Sequence, residues 1–308
     1  MIELLEVGDR VGIGSYRVFA RFRGASAFVC GAGAGLAVVA GEDKGSGPVQ
    51  IVVRGCDLGA IDSLEVCADR VVLDGAALEI RRRYHSRLRI GEPDSSRIHR
   101  NLSAFGAALL ESAPARSVVF LPGSGSAFEA ELARRFRHGA GLLLSGDLDS
   151  GARALAGLGF GLTPSGDDFL AGYLLGMYAA GAPSLDRRRV YEAARSPNVF
   201  SDSLLRAAAE GCCIEPAQSL IHAIFAGTEA DVARHTARLS AVGASSGADL
   251  AAGAHSFLAS WLCYVGQDGI LRPSGTRPGR LLHRADQAGY QPAAGCQPAP
   301  HRTSGVPL

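Results

Sequence analysis

The chain has 308 residues, with 31 Lys or Arg against 30 Asp or Glu, for a formal net charge of +1. Of the basic residues only Lys44 is a lysine, in the turn-like Glu-Asp-Lys-Gly-Ser-Gly, and the other 30 are arginine. This leaves no good candidate for a P-loop, a pyridoxal aldimine or a Schiff-base aldolase, all of which need a positioned lysine amine, and the near-neutral balance argues against a nucleic-acid binder.

The length allows one large domain or two modest ones. The acidic start, Met-Ile-Glu-Leu-Leu-Glu, lacks the basic region of a secretory signal. Seven cysteines without a Cys-x-x-Cys or a Cys/His ligand spacing predict reduced thiols in the cytoplasm. Residues 24–41 carry no charge over 18 positions, the lower limit for a membrane span, but are mostly Gly and Ala. Two β-like runs, Ala27 to Cys30 and Leu36 to Val39, flank Gly31, Gly33 and Gly35 and predict a hairpin. A dinucleotide loop would need a helix after these glycines, and a β-branched run follows instead.

Further short apolar runs follow at Val49 to Val53, Leu64 to Cys67, Val71 to Leu73 and Leu78 to Ile80. Their spacing suits a small antiparallel barrel or sandwich over residues 1–95. From Asn101 the period turns helical, with Leu102, Phe105, Leu109 and Leu110 on one face. Ser126 and Glu129 form a capping box ahead of a stripe of Phe128, Leu132 and Phe136. Further helices are predicted at 148–157, 164–180, 185–195, 202–210, 217–226, 229–240 and 246–264. The fold class is therefore α+β, with a β-rich N-terminal part followed by an α-helical domain over 96–271. Residues 272–308 are rich in Pro and Gly and hold five Arg against one Asp, a net +4 that leaves −3 on the rest. They read as a disordered tail.

The densest information lies in Gly157 to Gly172, Gly-Leu-Gly-Phe-Gly-Leu-Thr-Pro-Ser-Gly-Asp-Asp-Phe-Leu-Ala-Gly. Thr163 is expected to cap a helix opened by Pro164, with Asp167 and Asp168 in the first turn on the positive end of its dipole. Gly159 and Gly161 allow positive φ or close approach. A capped core helix with acids on its dipole would explain these residues alone. Eighty-one residues later, however, Ser165, Gly166, Asp168, Ala171 and Gly172 repeat as Ser246, Gly247, Asp249, Ala252 and Gly253. Two helix starts are expected to face each other, each offering a hydroxyl, backbone N–H groups and carboxylates. Helix starts hold anions. With three carboxylates present, an anion would come with Mg²⁺ on Asp167, Asp168 and Asp249, unless Asp168 and Asp249 bond an amide or hydroxyl directly.

The string Gly-Leu-Thr-Pro-Ser-Gly-Asp-Asp-Phe-Leu at 161–170 resembles the most recognisable motif of the AllH-type family. The later Ser-Gly-x-Asp at 246–249, and Ser201 in Asn-Val-Phe-Ser ahead of a helix, are similar to two further family motifs. The resemblance implies a subunit of the oxamate carbamoyltransferase of anaerobic allantoin breakdown, acting with FdrA-like and AllG-like subunits. A carbamoyl group would move between oxalurate, phosphate, oxamate and carbamoyl phosphate. On this reading Thr163, Ser165, Gly166, Ser201, Ser246 and Gly247 bind the small-molecule substrate, and Asp167, Asp168 and Asp249 are catalytic or hold Mg²⁺. The alternatives are a non-catalytic ligand-binding or structural subunit, or a Mg²⁺-dependent hydrolase of a small amide or phosphate. Neither a nucleic acid nor a membrane is expected as a partner. His255 and the adjacent Cys212 and Cys213 read as packed residues.

Overall fold

The computed structural model describes residues 2–31, 35–120 and 126–268. Side chains are described up to Cys263, and the predicted tail at 272–308 lies outside these residues. The N-terminal part is one curled, half-barrel sheet of nine strands. They are β1 (Glu3–Gly8), β2 (Gly14–Phe22), β3 (Ala25–Cys30), β4 (Leu36–Gly41), β5 (Gln50–Arg54), β6 (Ser63–Val66), β7 (Arg70–Leu73), β8 (Ala76–Glu79) and β9 (Arg83–Tyr84). Their order across the sheet is β8-β7-β6-β2-β3-β4-β5-β1-β9. The expected hairpin forms, with β3 and β4 antiparallel from Ala25 opposite Ala40 to Val29 opposite Leu36. The purely antiparallel arrangement needs correction, because the β4–β5 and β1–β9 pairs are parallel. The connection from β4 to β5 runs through a 3-10 turn at Glu42–Lys44 and re-enters in the same direction. The β7–β8 turn places Asp74 and Gly75 at φ 46° and 83°, the Asp-Gly conformation that matches strand twist.

Strand alternation gives the curled sheet an inner core of Val7, Phe28, Val39, Ile51, Leu64 and Val71. The middle of the sheet is also covered on its outer face, where Ala27, Val29 and Leu36 pack against Phe200.

The helical part comprises α1 (Ser95–Ser112), α2 (Ala127–Leu144), α3 (Leu148–Leu155), α4 (Ser165–Ala179), α5 (Ser184–Ala194), α6 (Val199–Ala209), α7 (Glu215–Ala226), α8 (Glu229–Ser240) and α9 (Ser246–Asp268). The Ser126–Glu129 capping box is present, and a second joins Thr228 to Asp231 at the start of α8. Two positions expected in the core are on the surface. Leu110 is 45% and Phe128 58% exposed, and the Phe128 ring lies 5.3 Å from that of Phe160, also exposed. Cys212 and Cys213 are buried as expected but sit between α6 and α7 rather than on a helix. There Arg87 bridges to Cys212, and the Tyr84 hydroxyl donates to the Cys213 carbonyl at 3.0 Å, tying the last strand to the helices.

Helix α4 is buried along nearly its whole length. It runs beside α9 in the same direction, in the most extensive helix pairing of the fold. The distance is set by glycine. A Cβ on Gly172 would lie 1.8 Å from the Leu250 carbonyl oxygen, and one on Gly253 would lie 1.9 Å from that of Phe169. Because 172 and 253, like 169 and 250, are the repeat-related positions, the two contacts are reciprocal. Alanine at Gly172 or Gly253 should therefore force the helices apart and cost at least about 2 kcal/mol in urea unfolding. Alanine at Gly141 of α2, which would meet no atom within 4 Å, should be neutral or stabilise by up to about 1 kcal/mol. Equal effects at the three positions would show that the contact is looser than described.

Candidate functional site

The close pairing brings the starts of α4 and α9 together. Before each helix a loop folds back in the same way: the Gly166 N–H donates to the Leu158 carbonyl at 2.8 Å, and the Gly247 N–H to that of Val242 at 3.0 Å. Gly159 and Gly161 take φ of 114° and 101°, as their positions in the first loop require. Pro164, with extended dihedrals, is the N-cap of α4, and Ser165 is its first helical residue. Thr163 does not cap the helix. Its hydroxyl donates instead to Asp168 Oδ2 at 3.1 Å and lies 3.3 Å from the Ser246 hydroxyl.

The repeat is wired crosswise. The Ser246 hydroxyl of the second copy is near enough to favour ionised Asp168 of the first, and the Ser165 hydroxyl of the first does the same for Asp249 of the second. Asp249 Oδ1 also accepts from the Ser117 hydroxyl at 2.7 Å and the Val118 N–H at 2.8 Å, and its Oδ2 from the Ser245 hydroxyl at 2.9 Å. Asp167 Oδ1 accepts the Gly157 N–H at 2.7 Å. The three carboxylates are buried, whereas Thr163, Ser165 and Ser246 above them are partly exposed.

Burial raises the pKa of all three acids. Asp168 reaches about 7: desolvation outweighs the hydrogen bonds from Ser246 and Thr163, and the charges of Asp249 and Asp167 push it further. Asp249 is raised by desolvation against the donors from Ser117, Val118, Ser165 and Ser245. Asp167 is raised by desolvation against the Gly157 N–H and the Ser201 hydroxyl.

Several expectations are corrected by this geometry. The N–H groups of Gly166 and Gly247 are already bonded to loop carbonyls and are not available to an anion. These glycines instead serve close packing, since a Cβ would fall 2.0 Å from the Leu155 oxygen and 1.8 Å from the Leu239 oxygen respectively. Ser201 lies inside the first turn of α6, not before it, and is fully buried. The α6 cap is Asn198, whose side chain accepts from Phe200 N–H and Ser201 N–H and donates to the Leu162 carbonyl at 2.7 Å, fastening α6 to the motif loop. Ser201 Oγ and Asp167 Oδ2 have no hydrogen-bond partner, although the hydroxyl is near enough to favour ionised Asp167.

The donor set does not suit Mg²⁺ on Asp167, Asp168 and Asp249. Both oxygens of Asp249 are taken by protein donors, and no group of three or more His, Cys, Asp or Glu able to hold a metal occurs among the described residues. Ser117, Val118, Ser245 and Asn198 were not foreseen from the sequence. Ser117 and Val118 sit at the start of a 3-10 turn (Val118–Phe120) that carries no motif, while Ser245 could have been found as the neighbour of the second Ser-Gly-x-Asp. His255 is buried edge-on to Phe105, rings 5.1 Å apart, and burial lowers its pKa. No described helix is long and apolar enough to cross a membrane.

The acids set a pH dependence whose sign can be tested. A carboxyl with a raised folded-state pKa contributes stability that is present below its unfolded pKa, near 4, and lost as pH rises through about 7 for Asp168. Asp168→Asn removes that loss. Its stability relative to the parent chain should therefore grow from pH 5 to pH 8, by up to a few kcal/mol in urea titrations. A difference that stays flat with pH would refute the raised pKa.

Comparison with known proteins found no match among curated proteins and none among solved structures. A family model does match, across the stretch that holds both Ser-Gly-x-Asp copies and Ser201. Residues 155–258, about a third of the chain, match the family described as oxamate carbamoyltransferase subunit AllH, in agreement with the resemblance carried by the motif.

Proposed function

We propose that the chain is a subunit of a carbamoyltransferase that interconverts oxalurate plus phosphate with oxamate plus carbamoyl phosphate, in ureide or allantoin catabolism. The family description supports the transferase and, by the word subunit, the existence of other chains. FdrA-like and AllG-like subunits are the partners we propose. The observation that carries a catalytic role is Asp168, a buried carboxyl with a pKa of about 7 beside the partly exposed residues Thr163, Ser165 and Ser246. When phosphate oxygen attacks the carbamoyl carbon, charge develops on the carbonyl oxygen and the bond to the oxamate nitrogen breaks. With Asp168 protonated, the Thr163 and Ser246 hydroxyls need no longer donate to it and would turn to that oxygen together with Ser165, stabilising the developing charge. Protonated Asp168 would supply the departing nitrogen with its proton and recover it in reverse. An acid whose pKa lies near the working pH is suited to both directions.

A second reading has its own support. The polar groups of the crossed pair largely satisfy one another, and Asp249 is saturated. That pattern also suits a non-catalytic subunit in which the pair pins two helices or binds a ligand. Among the described residues no ligand set fits the Mg²⁺-dependent hydrolase.

Reconstitution with both partner subunits, assayed with oxamate and carbamoyl phosphate, separates the readings. Ser246→Ala and Asp168→Asn should each lower kcat roughly 10²-fold, the scale on which lost transition-state donors and proton donors act. Full activity of both variants, with melting behaviour unchanged, would favour the non-catalytic reading. Turnover by the chain alone would overturn its dependence on partners.

A further inference from the structure

A cleft of about 740 Å³ opens at the far end of α4 from the Asp168 site, between the end of that helix, α5, α6 and the segment that carries Arg87. Tyr178, which lines it, is ten residues beyond Asp168, roughly 15 Å along the helix axis. The cleft is distinct in character from the rest of this near-neutral chain. Arg87, Arg187, Arg188, Arg195 and Arg206 line it, against the acids Glu192 and Glu210.

The acids do not balance these charges. Glu210 is held at 2.7 Å by Arg10 from the turn between β1 and β2, leaving Arg87 at 3.9 Å. Glu192 stands 3.8 Å from Arg188, and Asp202 bonds Arg206 at 2.9 Å while Arg195 is 3.9 Å away. Arg187 is the more telling residue. Its guanidinium is half-buried and donates to the carbonyls of Ala209 and Ala182, and it lies over the Tyr178 ring at 4.9 Å. Among the described residues no carboxylate pairs with it, and burial lowers its pKa. A second arginine–tyrosine stack joins Arg206 to Tyr191, with the cation 5.9 Å from the ring centroid. Arg187 is thus fixed in place by a ring and two backbone carbonyls, and Arg206 by Tyr191 and Asp202, while others at the rim keep exposed, weakly paired heads.

We propose that this cleft binds a phosphate-bearing small molecule of about the size of a nucleoside diphosphate. The volume falls in the range of small-molecule sites. Guanidinium forks match phosphate oxygens two at a time, and arginines already oriented by stacking lose little freedom on binding. A phosphate in the cleft would supply the anion that Arg187 lacks. This reading goes beyond the carbamoyl-transfer proposal and does not rest on it, because a molecule in the cleft would lie a helix length away from Asp168.

The test is calorimetric titration of the full chain with ADP and with inorganic pyrophosphate, at low and at moderate salt. Saturable binding that weakens with salt is expected, and Arg188→Gln combined with Arg195→Gln should weaken it by at least about tenfold. Both side chains are mostly exposed, so the melting temperature without ligand should be unchanged. Should the double variant fail to fold, Arg188→Gln alone should still weaken binding measurably. Equal affinity for the two probes assigns the site to phosphate alone, and tighter binding of ADP assigns a further contact to its nucleoside. Either result supports the proposal. Absence of saturable binding of both probes, affinity unchanged in the variants, or binding of a polyglutamate peptide while neither probe binds would overturn it.

Discussion

When two helices touch backbone to backbone, with no side chain between them, the groups at their starts are pressed into one small volume. Gly172 and Gly253 create that condition here, each lying against a carbonyl of the opposite helix. Because α4 and α9 run in the same direction, their two positive dipole ends sit side by side, which is unfavourable unless negative groups are nearby. Asp167, Asp168 and Asp249 supply that charge, and their burial in turn raises their pKa values and demands donors. The crossed serines, Thr163 and the Ser117–Val118 segment answer the demand. The chemistry proposed for the site thus follows from a packing distance.

The rest of the molecule braces this pair. Asn101 in α1 donates to the carbonyls of Ala223, Ile224 and Gly227, closing the end of α7 at its own buried amide. Asn198 joins α6 to the motif loop, and the neighbouring Phe200 inserts that helix into the outer face of the sheet. Its ring stands 5.7 Å from Phe19 and 5.9 Å from Phe22. The curled sheet thus touches the helix that carries Ser201.

Much of this organisation was legible from residue patterns. The change from period two to a helical period near residue 100, the capping box at Ser126 and the repeated Ser-Gly-x-Asp all correspond to local chemistry, which a chain carries on its face. What the repeat could not reveal was its crossing. Pairing of Ser165 with Asp249 and of Ser246 with Asp168 is a property of two helices in space, and either copy alone would suggest a serine beside its own aspartate. The same limit explains the misread N–H groups: Gly166 and Gly247 look like anion-binding residues until the loop carbonyls above them are seen. Leu110 and Phe128 carried the apolar stripe past its buried width, since periodicity marks a face but not where the covering neighbour ends.

The near-symmetry of the pair is broken at one position. Asp167 has Ala248 as its counterpart, so one half carries two adjacent acids and the other a single one. An assembly of two identical chains would have to bury that extra carboxyl twice, doubling the electrostatic cost for no added function. Carrying both halves in one polypeptide lifts the obligation. Each half is free to diverge, and the pair acquires a direction, with an acidic side and an apolar one, along which an unsymmetrical molecule could be aligned.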